Sequence, residues 1–263
     1  MVNFFTNRLS PLLTLFLALV LSVSPAATGQ QQGKSQSGGP EPAALDALKR
    51  MGDALAEKKS LSFDADLATE VVMENGQKLL IGGDYKMRFR RPDHLRTELR
   101  TDNFTRLLFH NGEKLVMVAP EEGYFGELDL NTDSRSALIK IASDYGLEVP
   151  LADLLEWGTP DAPKHDIKEA FLVGPAEIND KKVEHWAFRG AKLDWEIWLP
   201  EKGPALPAQI SIVNVSDPGS PRFTATLKWH VAESLPDKLF RPQLPKDAKR
   251  IPFRKVKQGE KKQ

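Results

Sequence analysis

Five histidines, His94, His110, His165, His185 and His230, are the side chains best suited to metal binding or proton transfer, and their spacing fits neither. No two stand at the short intervals that put imidazoles together on one helix or hairpin, so each reads as an individual strand or loop residue. The chain has no G-x-S-x-G nucleophile turn, no phosphate-cradling Walker loop, no dinucleotide glycine fingerprint and no H-E-x-x-H zinc pair. Asp129, Asp133 and Asp144 surround one helical stretch, and Asp153 and Glu156 belong to a second. Carboxylates in such places serve helix ends and solvated faces, so they read as structural rather than as an acid pair. With no cysteine at all, thiol nucleophiles, thiolate metal sites and disulfides are excluded. The residues point to a non-catalytic chain without a metal or cofactor.

The aromatic residues carry more information. Trp186, Phe188, Trp195 and Trp198 crowd two neighbouring segments, HWAFRG and DWEIWLP. Side chains alternate faces along a strand, so Trp186 and Phe188 share a face while Trp195 and Trp198 point to opposite ones. Leu107 to Phe109 and Lys114 to Ala119 are also apolar on both faces, unlike an antiparallel sheet with one solvated side. Two readings follow. Either helices pack on one face while loops and chain ends cover part of the other, or a concave apolar face takes up a lipid-like ligand. In the second reading the pocket is lined by Leu138, Ile141 and Tyr145 from a central helix acting as a lid, with Trp186 and Phe188 from the sheet.

These residues need a scaffold, and the periodicity supplies one. From Ala43 onward, Leu45, Leu48, Met51 and Leu55 form an apolar stripe on a polar helix that starts at Pro42 and ends near Ser60. Period-two alternation then begins at Leu61, Phe63, Ala65 and Leu67. Asn75-Gly76 and Asn111-Gly112 mark hairpin turns in a meander running to Leu130, and Gly82-Gly83 suggests a bulge or a sharp bend. Ser134 to Tyr145 reads as a helix with Leu138, Ile141, Ala142 and Tyr145 on one face, stopped by Gly146. Pro150 to Trp157 reads as a second, shorter helix. Strands resume at 170–177, 182–189, 194–199, 208–215 and 223–231. About eleven strands with helical interruptions imply an α+β fold, an antiparallel sheet with helices on one face.

The ends differ in kind. Residues 12–23 (LLTLFLALVLSV) are shorter than the roughly 20 apolar residues of a bilayer span. Followed by small residues Ser24 to Gly29, they read as a signal peptide over 1–26 cleaved after Ala26, with a second small-residue site at Ala27 and Gly29 and an uncleaved membrane anchor as the competing reading. Without a following cysteine the mature protein is not lipidated, and export places it in a bacterial periplasm. Residues 27–42 are rich in Gln, Gly and Ser and read as a flexible linker. A single domain spans 43–253, and the basic residues from Arg254 on form a disordered tail over 254–263 that could touch anionic lipid. The 36 basic and 36 acidic residues balance, which leaves no long-range field to attract nucleic acid.

Four segments carry a family resemblance: Asp102 to Phe125, Ser143 to Leu155 (SDYGLEVPLADLL), Glu184 to Pro200 (EHWAFRGAKLDWEIWLP) and Asp237 to Phe253. Taken in order, they resemble a domain-of-unknown-function family of predicted bacterial periplasmic proteins. That family is similar in fold to the periplasmic lipoprotein carriers and their outer-membrane acceptors. The resemblance implies an open half-barrel, strongly curved, with an N-terminal helix and central helices covering its concave face. It further implies a protein that binds or carries a lipid or acyl-type ligand between sheet and helical lid, and release as a soluble body without a lipid anchor allows transient membrane contact. It assigns no catalytic residues. The alternative is an envelope sensor or scaffold that binds a partner protein and has no ligand pocket.

Overall fold

The computed structural model describes residues 38–160, 162, 166–230 and 234–256. The leader read at 1–26, most of the linker, His165 and the basic residues from Lys257 lie outside that range. Helix α1 spans Pro42–Ala56 and leads into β1 (Ser60–Val72), β2 (Lys78–Arg90), β3 (His94–Thr101), β4 (Thr105–Asn111), β5 (Lys114–Ala119) and β6 (Tyr124–Asp129). Helix α2 (Ser134–Tyr145) and a 3₁₀ segment (Ala152–Leu155) interrupt the strands. The chain then continues with β7 (Glu169–Ile178), β8 (Lys181–Arg189), β9 (Leu193–Pro200), β10 (Gln209–Asn214), β11 (Arg222–Trp229), a 3₁₀ turn (Asp237–Phe240) and β12 (Lys249–Arg250).

All twelve strands form one curved sheet in the order β12-β6-β5-β4-β3-β2-β1-β11-β10-β9-β8-β7, which does not close. Neighbours are antiparallel except β12, which runs parallel to β6. The expectation of about eleven antiparallel strands thus needs one amendment. The extra strand is two residues long in a basic, Pro-containing stretch, too short to show alternation. The hairpin turns stand where the Asn-Gly pairs put them. Asn75 Oδ1 accepts from the Gln77 N–H, and Asn111 Oδ1 accepts from the N–H groups of Glu113 and Lys114. Gly82-Gly83 is no bulge, since β1 and β2 pair without interruption through Leu67↔Gly83 and Ala68↔Gly82. The register shift lies between Leu172 and Gly174 on the edge strand β7.

Both helices pack on the same face of the sheet, and their buried residues join one continuous core with Phe63, Met87, Leu95, Leu108, Leu115 and Trp186. On α1, Leu48, Met51 and Leu55 are buried together with Ala44, Ala47, Gly52 and Ala54, whereas Leu45 is exposed. The buried stripe of α2 is Ser134, Ala137, Leu138 and Ile141, an i, i+3, i+4, i+7 set. Ala142, expected on that stripe, is exposed. Asp133 caps the helix by accepting from the Ser136 N–H at 3.0 Å. Gly146 ends it at φ 65°, its N–H reaching the carbonyls of Ala142 and Ile141. Apolar residues on both faces of β4 and β5 divide cleanly. Leu108, Leu115 and Met117 join the main core. Phe109, Val116 and Val118 form a satellite on the opposite face with Leu107 and Phe125 packed against it.

Candidate functional site

Register decides which side chains can meet on the helix-bearing face. Ile81, Thr69, Phe223, Ile212, Trp195, Phe188 and Ala170 form one continuous row across seven strands. The adjacent row runs through Gly83, Leu67, Ala225, Ile210, Ile197 and Trp186. Helix α1 lies over β7 and β8, and α2 lies over β4. The strands between them are left to the 3₁₀ segment and its flanks, which do not cover them fully.

That gap is a cavity of about 320 Å³. Its floor consists of Trp195, Ile197, Ile210, Ile212 and Phe223 from the two rows, and its walls of Met51 from α1 with Leu151, Leu154 and Trp157. Asp166 and the β8–β9 turn, Gly190 to Leu193, complete its lining. Trp195 is fixed from behind by Phe188, stacked at 5.3 Å between ring centroids and 10° between planes. Such a stack adds about 0.5–1.5 kcal/mol beyond burial alone. The indole N–H of Trp195 is buried and has no hydrogen-bond partner among the described residues. Left unpaired, such a group costs about 1–3 kcal/mol, which the ring's packing has to offset.

Local backbone devices hold the upper wall. Leu151 has φ 59°, a left-handed conformation that a bulky residue adopts only when its surroundings enforce it. This turns the chain after Pro150 and buries Leu151 against the core. Beyond Trp157, Gly158 meets Gly52 of α1 backbone to backbone. A Cβ on Gly52 would stand 2.9 Å from Gly158 N, and a Cβ on Gly158 would collide with Gly52 O. Gly158 also has φ 85°, so two glycines allow the wall and α1 to touch.

The five residues expected to line a pocket all lie on this face, in two separate places. Trp186 and Phe188 are buried on β8, one strand beyond the cavity floor, beneath α1. Leu138 and Ile141 are buried under α2, and Tyr145 is partly buried at its end, with its ring 5.6 Å from that of Phe253. Strand β4, which α2 covers, is seven positions from β8 in the sheet order, so the two groups do not meet at one cavity. Of the five, none lines the cavity; Phe188 touches its floor through Trp195. Sequence reasoning did not place Ile210, Ile212, Phe223 or the Leu151–Trp157 wall in the lining of a pocket. The one available signal was the odd-numbered alternation Trp195, Ile197 continued across β10 and β11.

The titratable residues are mostly structural. Asp133 is held below the usual carboxylate range; burial opposes this, and the Ser136 N–H and hydroxyl outweigh it. Asp144 is lowered by Lys140, Ser143 and Lys255, while Asp129 stands 3.6 Å from Lys114. His185 stacks on Trp198 and contacts Glu196 on the opposite face. Among the described residues no group of three His, Cys, Asp or Glu could hold a metal ion, and no helix is long and apolar enough to cross a membrane. Asp153 differs from the rest. It lines the cavity, and its carboxyl is pushed up by desolvation and by the like charge of Glu148.

Residues 44–254 match the model of a family described as predicted periplasmic protein, DUF2092, and the chain belongs to that family. No curated protein matches it. Among solved structures it is similar to lipoprotein LppX from Mycobacterium tuberculosis, at 14% identity over 74% of this chain and 98% of that one, with a TM-score of 0.45. LprF from Mycobacterium bovis matches at 10% identity over 81% and 100%, with a TM-score of 0.43. A LolA superfamily protein from Nitrosomonas europaea matches at 11% over 76% and 97%, with a TM-score of 0.31. These likenesses are distant, and the architecture stands on the strand register itself.

Proposed function

We propose that this DUF2092 protein is a non-catalytic periplasmic binder of one apolar chain, held in the cavity between the β9–β11 floor and the Leu151–Trp157 wall. The observation that carries this reading is an open apolar cavity at the point where neither helix covers the sheet. Its size falls at the lower end of ligand pockets, about 300–1,000 Å³, which suits a single acyl-type chain rather than a multi-chain lipid. In this reading the exported body is residues 43–253, released without a lipid anchor, and Trp186, Phe188, Leu138, Ile141 and Tyr145 hold the two helices that frame the opening. Exposed Val71 and Leu79 continue the floor one row past Thr69 and Ile81 toward the β1–β2 hairpin tip, where a transient membrane contact would deliver or receive the chain.

The test is saturable binding of an uncharged apolar fluorophore, N-phenyl-1-naphthylamine, by the purified protein. Ile212→Trp fills the floor, so it should abolish binding while leaving the far-ultraviolet circular dichroism unchanged. A wild-type protein that takes up no fluorophore, or a filled variant that binds as well, overturns the reading.

The partner-binding alternative rests on a different observation. Phe171, Leu172 and Val173 on the edge strand β7 are 46%, 46% and 51% exposed. The bulge beside them and Pro175 interrupt regular pairing along that edge, which blunts it as a docking strand.

A further inference from the structure

Besides the unpaired indole N–H of Trp195, the cavity lining contains a carboxylate that its apolar neighbours do not explain. Asp153 stands among Leu151, Leu154 and Trp157, in the Pro150-Leu151-Ala152-Asp153-Leu154-Leu155 stretch that the family resemblance singled out. Asp64, Asp133, Asp144 and Asp194 are each held by a cation or by hydrogen-bond donors. The Asp153 carboxylate has no such partner among the described residues. More than a third of the residue is accessible, and it lines both this cavity and the neighbouring hollow beneath α2. Its apolar neighbours nevertheless remove enough water to destabilise the charged form.

An apolar chain filling the cavity would strip the remaining water from this carboxylate. A buried polar group without a partner is unfavourable, and a second anion beside it more so. For the ionised carboxylate, a ligand that brings a hydrogen-bond donor to this point restores what the displaced water supplied. Lys192, the one cation in the lining, and Asp166 are exposed as Asp153 is, and solvent screens them.

Resting on the binding role proposed above, we infer that Asp153 is the polar anchor of the cavity and that the ligand is a single-chain amphiphile with a hydrogen-bond-donating head, a hydroxyl, amide or amine, and not a free acid. The anchor selects the head while the rows of Trp195 and Ile197 hold the tail.

Displacement of N-phenyl-1-naphthylamine by 1-decanol, decylamine and decanoate, which share one tail length, tests this on the full mature chain. Wild type should bind the alcohol and the amine about tenfold more tightly than decanoate, since a site with an unpaired acceptor rejects a head that cannot donate to it. Asp153→Asn keeps the shape and adds a donor, so decanoate should gain and the amine should lose. Asp153→Leu should bring all three together. Decanoate bound as tightly as decanol by wild type, or a ranking unchanged in both variants, overturns the anchor while the fluorophore signal leaves the cavity standing. Failure of wild type to bind the fluorophore at all removes the cavity reading and the anchor with it.

Discussion

At His110 a single imidazole ties the sheet to the start of α2. Its Nδ1 lies 2.9 Å from the Ser134 hydroxyl and its Nε2 3.3 Å from the Leu130 carbonyl, with both His110 and Ser134 buried. Burial holds its pKa below the usual value, with the Leu130 carbonyl and nearby acids opposing only in part. The neutral form is therefore the one the fold accommodates. As pH falls below about 6.5, the unfolded chain takes up a proton that the folded state resists, so this contribution to stability is intact above that pH and is lost below it. The melting temperature should drop between about pH 7.5 and 5.5 more steeply in wild type than in His110→Asn, which keeps a donor and an acceptor without titrating. Equal slopes would show that His110 is not the group responsible. The sequence showed His110 as a solitary strand residue, and it is one. What its neighbours could not show is burial, because the partner Ser134 lies across a connection of more than twenty residues. Asp153 was hidden for a related reason. A carboxylate in a short helical turn looks like a solvated capping residue until the opposing wall is known.

At the scale of elements, local signals served well where one stretch of chain contains its own stop and start. Asp133, the Leu138 and Ile141 spacing and Gly146 together delimit α2 at the residues observed. The same logic missed Ala137 and favoured Ala142, because alanine on either side of a stripe is indistinguishable until a neighbour covers one side. Gly82-Gly83 looked like a bulge because glycine pairs usually relieve a strand. Here Gly83 instead makes room for close backbone approach, a Cβ there standing 2.8 Å from the Arg100 carbonyl. The contact between α1 and the Trp157–Gly158 turn was equally invisible, since it joins two glycines more than a hundred residues apart. Adding a methyl group at Gly52 must push these backbones apart. Overpacking of this kind costs about 1–3 kcal/mol, and each kcal/mol lowers the melting temperature by about 2–4 °C in a domain of this size. Gly52→Ala should therefore melt several degrees lower and bind the fluorophore more weakly, because Met51 and Trp157 move with the contact. An unchanged melting temperature would mean that α1 and the turn are not in such contact.

Across the whole molecule, the open sheet and the uneven placement of its two helices create the cavity. Helix α1 covers one end of the sheet order, α2 covers β4 toward the other, and the apolar floor between them is walled by Met51 of α1 and the Leu151–Trp157 stretch. Alternation along each strand revealed the correct face for Trp186 and Phe188, and placed Trp195 opposite Trp198. It could not reveal which columns the helices would cover, because that depends on contacts between segments far apart in the chain. The expected lining therefore coincides with the residues under the helices, and the cavity lies beside them. The most direct measurement is native mass spectrometry of the protein purified from its own periplasm, for wild type and for Ile212→Trp. A single added mass corresponding to one single-chain amphiphile, present on wild type and absent from the filled variant, is the predicted result. A wild-type chain that carries no added mass, or a filled variant that carries the same one, would contradict the assignment of this cavity as the binding site.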